Sequence, residues 1–558
     1  MQIRSGNPET TREPAAETPP GGLHDSRRFW TRLGLLLVLG IVVAIRLRLL
    51  NCPLERDEGE FAYGGQLLLQ GASPYDGAYT VGLKLPGTTA SYALFMALFG
   101  QTTAGIHLGL TLVNLADALL VFLVARRIFG GPGGVVAAGT FALFTIVPET
   151  DGLAAHATHF VLLPALAGIA LLQNLDAQTS RKRIFSAGLL LGLALVMKQT
   201  GAIFGLFAAA WVLRCELLSA PRSWPRLTSR LALLAAGGAL PFLLTCLIVA
   251  AAGDFHQFWF WAFTYAAAHG SVFDLRTGLW NMGDACLKQF LSAPGLWFIT
   301  LAGVAAVLWA KSLREWRFFL AGLAVFSFVS VCPGWYFRGH YFIQFFPAAG
   351  LLAAAAFHAM DRLWTNLKIS LPAALPAVVF AAAGVAVLVQ WNSIFFNLPP
   401  AQACRAIYGF NPFPEAVEIS RYLKDHSSPD ARIAVLGSEP EIFFYTQCRS
   451  ATGHICTYPL VENQPYAETM RREMTQQIEQ ADPEYVVYVS VPSSWIQTTG
   501  KMDRTLIDWF MAYRQKHLNQ VGLVDLQLDG TVGYQWGAGR PFSLGGPYDP
   551  WIAVFKKR

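Results

Sequence analysis

The chain has 558 residues, of which 54% are hydrophobic and only 14% charged, against about a quarter charged in an ordinary soluble domain. So little polar surface cannot cover a soluble particle of this size, and mean hydropathy is positive; disorder, a disulfide scaffold and a cytosolic globule are excluded, and a multi-pass membrane protein is predicted. The net charge of +6 is unevenly placed: residues 1–400 hold 27 Lys+Arg and 19 Asp+Glu, residues 401–558 hold 15 and 17, which separates an apolar, basic first part from a water-soluble tail.

Residues 1–28 are rich in Pro, Glu, Thr and Gly and read as a disordered cytoplasmic arm. The apolar run 29–50 is long enough to cross a bilayer. With Arg46 and Arg48 near its far end and no small-residue cleavage site after it, it reads as an uncleaved anchor. A lipoprotein cleavage box at Leu49-Leu50-Asn51-Cys52 is the weaker reading, because Asn51 is a poor residue before that Cys. Further apolar runs lie near 104–125, 133–148, 157–175, 184–197, 200–216, 231–252, 292–310, 317–333, 342–360 and 371–391. The stretch 86–100 is apolar but short and reads as re-entrant or tilted. About 11–13 transmembrane helices are predicted in a domain over 29–400.

Basic residues set the sidedness. Arg126 and Arg127, Arg181 to Arg183, Arg214 to Arg230, Lys311 to Arg317, and Arg362 with Lys368 fall in alternate connections; with the arm and the adjoining Arg32 they hold 19 Lys+Arg against 8 in the others. That side is predicted to be cytoplasmic. The basic excess is then topological, and no nucleic-acid partner is expected. The outer face receives loops 51–103, 149–156, 253–291 and 334–341, the short turn at Lys198, and the tail.

The first outer loop opens with Glu55-Arg56-Asp57-Glu58-Gly59-Glu60-Phe61-Ala62-Tyr63. Acids at the lip of a hydrophobic body are desolvated unless paired or used; the bland reading is a solvated loop beside the anchor. The loop runs on through Gln66, Tyr75 and Tyr79 to Lys84-Leu85-Pro86, and a Lys at the mouth of an apolar segment suits an anionic ligand at membrane level. The second outer loop carries Glu149, Asp151, His156 and His159. The two His are three apart and would share a helical face, offering imidazoles to a divalent metal without a complete ligand set in view. Lys198, alone between two apolar runs, needs a partner, either a ligand anion or one of the loop acids. The loop 253–291 is dense in rings from Phe255 to Tyr265 and reads as an interfacial helix bordering a lipid path, with His256 and His269 as interfacial polar residues. In 333–341, Arg338 and His340 sit between aromatics; Arg suits a phosphate, or else snorkels as an anchor. His107, Asn114 and Asp117 recur on one helical face, and structural pairing is expected of the acid.

Together these residues resemble bacterial glycosyltransferase family thirty-nine, which includes protein O-mannosyltransferases and lipid A aminoarabinose transferases on the membrane GT-C architecture. The motifs are Asp57-Glu58 within RDEGEFAYGGQLLLQG, Lys84-Leu85-Pro86, the Gly-Leu-Ala-Leu-Val-Met-Lys-Gln-Thr-Gly run at 192–201, and Arg338 to Phe342 followed by Pro347. The resemblance covers roughly residues 30–400. It implies transfer of a sugar from a polyprenyl-phosphate donor to a protein, lipid or glycan acceptor on the outer face of the bacterial inner membrane. It casts Asp57 as general base or acceptor-orienting acid, supported by Glu58, with a second acid from Glu149 or Asp151. Lys84, Arg338 and Lys198 would bind or neutralise the leaving phosphate, and Tyr63 and His340 would line the substrate site. Gly-Glu-Phe after the acid pair departs from the aminoarabinose transferases, so their substrate is not implied.

The tail alternates helical and strand patterns. Residues 419–424, 466–481 and 504–517 read as helical, and 432–437 and 485–489 as strands, giving an extracytoplasmic α/β domain of about 145 residues. Its reading is a covering domain, with acceptor recognition the lesser one. Cys448 and Cys456 are eight apart where oxidation is available, and a disulfide between them is the lesser of two readings. A nucleotide-sugar enzyme would need a large cytoplasmic domain, which these short loops exclude. The other class considered is a secondary transporter or lipid flippase, which should show internal repeats and ionisable groups near the midplane; no repeat is visible.

Overall fold

The computed structural model describes residues 21–73, 75, 84–367, 374–495, 504–537 and 549–558; residues 1–20 of the predicted arm, Tyr79 and Lys368 lie outside them. In chain order the first part comprises α1 (Gly21–Arg48), α2 (Arg56–Leu69), α3 (Pro86–Phe99), α4 (Thr103–Phe144), α5 (Ala157–Leu172), α6 (Arg181–Met197), α7 (Ala202–Leu218), α8 (Trp224–Ala251), α9 (Phe255–Trp259), α10 (Ala266–Gly270), α11 (Leu275–Ser292), α12 (Pro294–Trp309), α13 (Arg317–Val329), α14 (Phe346–Leu367) and α15 (Leu375–Gln390). The apolar runs of the sequence fall on these helices over the described residues, 371–373 lying outside them. α1 begins at Gly21, inside the predicted arm, and the short run 86–100 is the fourteen-residue α3.

Among the described residues, four helices are long and apolar enough to cross a membrane: Arg28–Arg48, Thr103–Phe144, Gln199–Leu218 and Trp224–Ala251. The pair Leu275–Ser292 and Pro294–Trp309, bent by 112°, makes a broken fifth, and several shorter apolar helices accompany them. The chain is a multi-pass membrane protein. Unbroken, the 42 residues of α4 at about 1.5 Å each would reach about twice the hydrocarbon thickness. The break comes at Gly130, whose φ of 76° is open to glycine but strained for side-chain-bearing residues, and Pro132 follows with no N–H to donate.

Arg46 and Arg48, in the last turn of α1, have structural roles. Arg46 donates to the carbonyls of Thr145 and Gly152 at 2.9 and 3.0 Å, and Arg48 to those of Ile394 and Leu398 at 3.2 and 2.6 Å. Thr145 caps the end of α4, so Arg46 satisfies a carbonyl that a helix terminus leaves open. It also pins the loop that carries Asp151.

The tail contains α16 (Pro400–Tyr408), α17 (Phe413–His426), β1 (Arg432–Leu436), α18 (Glu441–Thr446), β2 (Arg449–Ser450), α19 (Tyr458–Val461), α20 (Ala467–Ala481), β3 (Tyr485–Ser490), α21 (Thr505–His517), β4 (Leu518–Leu526), β5 (Val532–Trp536) and β6 (Trp551–Lys557). The sheet order is β2-β1-β3-β6-β4-β5, with β1 parallel to β2 and β3 and the remaining pairs antiparallel. Alternate residues of β1 enter two cores. Ile433 and Val435 pack with Leu54, Phe61 and Tyr92 of the membrane part, while Ala434 and Leu436 pack with Met470, Phe510, Trp261 and Tyr265. A strand covered on both faces must be apolar throughout. The composition break near residue 400 is therefore no packing break, because α2 and the aromatic run of 253–291 complete the tail's cores.

Cys448 and Cys456 are both free, in line with the favoured reading of two unpaired thiols. Cys448 bonds locally to Thr446, while burial raises the Cys456 thiol to about 12. Cys52 is buried against Cys404 and Phe413.

Candidate active site

The site is built on the first turn of α2. Glu55 caps the helix: its carboxylate accepts from the Glu58 N–H at 2.9 Å, and the Glu58 carboxylate accepts from the Glu55 N–H at 3.1 Å, a reciprocal capping box. Helical geometry then divides the adjacent acids. Glu58 turns inward, where Oε1 meets His107 Nε2 at 2.9 Å and accepts from the Ala155 N–H at 2.6 Å. Asp57 faces the mouth, where Lys84 Nζ donates to Asp57 Oδ1 at 3.1 Å and to Glu60 Oε2 at 2.6 Å. The ammonium also lies 4.2 Å from the Phe61 ring centre, and the Tyr75 hydroxyl donates to the Lys84 carbonyl at 2.8 Å.

The other side is formed by residues 149–156 and 338–341. His156 and His340 stack with ring centres 3.8 Å apart and planes 12° from parallel. His156 Nδ1 is 3.6 Å from Asp57 Oδ2, and His340 Nδ1 is 3.8 Å from Asp151 Oδ2. The stacked pair therefore bridges the two aspartates. Asp151 has φ of 49°, a left-handed conformation that Asp tolerates better than most residues and that recurs at functional positions. Lys198 Nζ sits 4.2 Å from the Tyr341 ring centre, and the Arg338 guanidinium 5.4 Å from that of Tyr336. Gln344 donates to the Thr200 hydroxyl at 2.9 Å, tying the His340 turn to the Lys198 turn. Beside Asp151 and Arg338 opens a cavity of about 350 Å³ that Glu149 also lines.

Burial sets these groups apart electrostatically. Burial alone would raise Asp57, but Lys84 and then His156 outweigh it and hold the acid well below its usual range. Burial raises Asp151 to about 6, with His156 opposing. Burial lowers Lys198 to about 8, despite the pull of Asp57. For His156, burial is outweighed by Glu55 and Asp57, so its pKa is raised; burial and the neighbouring His156 push His340 well below the ordinary histidine value. One ring of the stack thus favours a charge and the other rejects it.

The structure brings together Asp57, Lys84, Asp151, His156, Lys198, Arg338 and His340. It does not bring in Glu58, committed to His107, nor Tyr63, whose hydroxyl accepts from the Ser450 N–H at 3.0 Å in the tail. His159 is fully buried in α5. Asp57, His156 and His340 offer ligand atoms within 4.8 Å of one another, so the metal-capable group joins His156 to His340 rather than to His159. Imidazole lone pairs lie in the ring plane, and near-parallel stacked rings share no in-plane point. A divalent ion would engage both only after one ring turned out of the stack.

Arg56 went unnoticed as a site residue. It donates to the Ser438 carbonyl, pairs with Glu439 at 3.3 Å, and lies 4.8 Å from the Tyr458 ring centre, binding the active-site helix to the tail. The available signal was its place inside the acidic run. His269 also acquires a partner, Glu462 Oε2 at 2.9 Å. Asp117 departs from the expected pairing: neither carboxylate oxygen has a hydrogen-bond partner among the described residues.

Residues 85–249 match the family described as dolichyl-phosphate-mannose-protein mannosyltransferase. Over 215 residues the chain is 29% identical to the undecaprenyl phosphate-alpha-4-amino-4-deoxy-L-arabinose arabinosyl transferase of Pseudomonas aeruginosa (strain LESB58), a stretch that is 37% of this chain and 38% of that protein. The chain thus matches well under half the length of this curated relative. Among solved structures, ArnT from Cupriavidus metallidurans bound to undecaprenyl phosphate aligns with a TM-score of 0.56 at 15% identity, covering 94% of this chain and 98% of that one. The same protein in the apo state gives 0.55 at 16% identity, covering 95% and 98%. The likeness establishes the fold: this chain has the polytopic membrane GT-C architecture, tail included.

Proposed function

We propose that this protein is a glycosyltransferase of the bacterial inner membrane that moves a sugar from a polyprenyl-phosphate donor to an acceptor on the outer face. In this reading the helices of 29–400 cross the membrane eleven times, with the N-terminus cytoplasmic and the tail outside. The observation that carries it is the convergence of two aspartates and three cations at the mouth of an apolar helical body. A lipid-linked donor calls for this arrangement: the tail stays in the bilayer, its phosphate meets fixed positive charge, and the sugar meets a carboxylate.

The acceptor hydroxyl attacks the anomeric carbon while the bond from that carbon to the phosphate oxygen breaks. The hydroxyl proton passes to Asp151, whose pKa of about 6 lies near the operating pH, as suits a general base. Asp57, kept ionised by Lys84, orients the His156–His340 pair and steadies the positive charge that grows on the sugar. Lys198 and Arg338 neutralise the leaving polyprenyl phosphate as its charge develops. Glu58 is a positioning residue for α2.

The test uses purified full-length protein in nanodiscs with polyprenyl-phosphate sugars. Asp57→Asn is expected to lower transfer at least about 100-fold, in the range of a lost electrostatic or proton-transfer partner, with thermal unfolding unchanged. Full transfer by Asp57→Asn would remove it from the site. Uptake of substrate into liposomes with no transfer would favour the transporter reading instead.

A further inference from the structure

Arg338 is presented from an unusual stretch of backbone. Gly334, Trp335 and Phe337 have φ of 78°, 59° and 47°. Glycine takes such angles freely. For bulky residues such as Trp and Phe they are outliers, which persist only where the surroundings over-determine them. Those surroundings are in view. Phe337 is buried, and Asn281 donates to the Trp335 carbonyl at 3.0 Å. Between the two strained residues lies Tyr336. Its ring stacks on that of His269, with centres 4.7 Å apart and planes 12° from parallel, and Phe273 meets it edge-on. The Arg338 guanidinium lies over this same Tyr336 ring, and it makes no hydrogen bond or ion pair among the described residues. What fixes Tyr336 therefore fixes the direction in which Arg338 presents its donors.

The last link comes from the tail. Glu462 caps the end of α19 and is buried. Its Oε2 accepts from the Tyr265 hydroxyl at 2.9 Å and lies 2.9 Å from His269 Nδ1. The Tyr336 hydroxyl is 3.3 Å from that same Nδ1. A buried carboxylate is costly unless it is paired, and the groups that pair this one belong to the ring-rich segment, not to the tail. With Tyr265 holding Glu462 in place, the carboxylate sets the plane of the His269 ring, and that ring is the surface on which Tyr336 stacks. Resting on the reading in which Arg338 neutralises the leaving phosphate, we infer that Glu462 is a positioning residue for that arginine, acting through His269 and Tyr336. The tail then does more than cover the membrane part: it holds a cation in place before the phosphate arrives, so that little reorganisation is needed as charge develops.

The test measures binding of tritiated undecaprenyl phosphate, and of uncharged undecaprenol, to full-length protein in nanodiscs. Wild type is expected to prefer the phosphate, and Arg338→Ala to lose most of that preference; if either fails, the phosphate role of Arg338 falls and the inference falls with it. Glu462→Ala is expected to weaken phosphate binding at least about fivefold, within the range of coupling between interacting residues, and to leave undecaprenol binding unchanged. In the Arg338→Ala background the same change should cost nothing further, because the cation it positions is gone. Unchanged phosphate affinity, an equal loss for both lipids, or a loss that adds to that of Arg338→Ala makes Glu462 a structural contact only and overturns the inference, with the role of Arg338 intact. Should Glu462→Ala fail to fold, Tyr336→Leu, which leaves the contacts of Glu462 with Tyr265 and His269 in place, decides by the same comparison in both backgrounds.

Discussion

Asp57 and Asp151 are the same chemical group in opposite surroundings. A lysine holds one ionised throughout the physiological range, while burial raises the other to about 6. Lys198 is lowered by burial to about 8. If Asp151 takes the proton, transfer must rise with pH through about 6, as its carboxyl ionises. If Lys198 neutralises the leaving phosphate, transfer must fall as pH rises through about 8, where its charge is lost. The kcat/KM profile of wild type should therefore be a bell between these limits, and Asp151→Asn should flatten the acid limb of whatever activity is left. Glu58 belongs to a different accounting. It is buried against His107 and the Ala155 N–H, and removing one member of such a pair typically costs about 3–5 kcal/mol. Glu58→Ala is expected to lower the unfolding midpoint sharply, and the double variant with His107→Ala to lose less than the sum of the two single changes. Glu58→Gln, which keeps an acceptor for the Ala155 N–H, should retain most transfer. That Asp57 and Glu58 would part in this way could not be read from their adjacency. The turn of α2 separates them, and which one faces the mouth depends on a histidine 49 positions away.

At the scale of elements, α2 is the hinge of the architecture. The sequence places it in the first outer loop, and the structure makes it a helix whose start is fixed by the Glu55–Glu58 capping box. Its packing is not legible, because its neighbour α18 lies far along the chain. A Cβ at Gly59 would collide with the Glu441 backbone, so the two helices approach as only a glycine allows. Gly59→Val is expected to loosen the tail from the membrane part, faster hydrogen exchange along α18 being the measure, and to lower transfer through misplacement of Asp57; unchanged exchange would mean that the contact yields easily. The helical runs and strands of the tail at 419–424, 432–437, 466–481, 485–489 and 504–517 all have counterparts in the structure. The short β2 and the antiparallel β4, β5 and β6 were missed, since a two-residue strand has no period and β4 carries a bulge between Gln520 and Gly522.

For the whole molecule, the proposed sidedness makes its own prediction. Over the wild-type background, an added Cys at the exposed position Arg472 should react with an impermeant maleimide in intact spheroplasts, and one at Lys182 only after lysis. The reverse pattern would put the cluster of Asp57, Asp151 and Lys198 on the cytoplasmic face and remove the case for an outer-leaflet donor. From composition and charge alone the chain was determined to be a membrane body with a polar tail, because hydropathy and basic bias are sums over residues and need no coordinates. The residues that carry charge where charge is expensive were legible for the same reason. Tertiary structure alone decided which of them meet. Asp57 and Asp151 lie 94 positions apart and are bridged by a histidine from each of two loops; Glu58 is withdrawn into the core; and the tail, separate by composition, shares its core with α2. Proximity between distant segments is set by packing and loop closure, which a linear pattern does not encode.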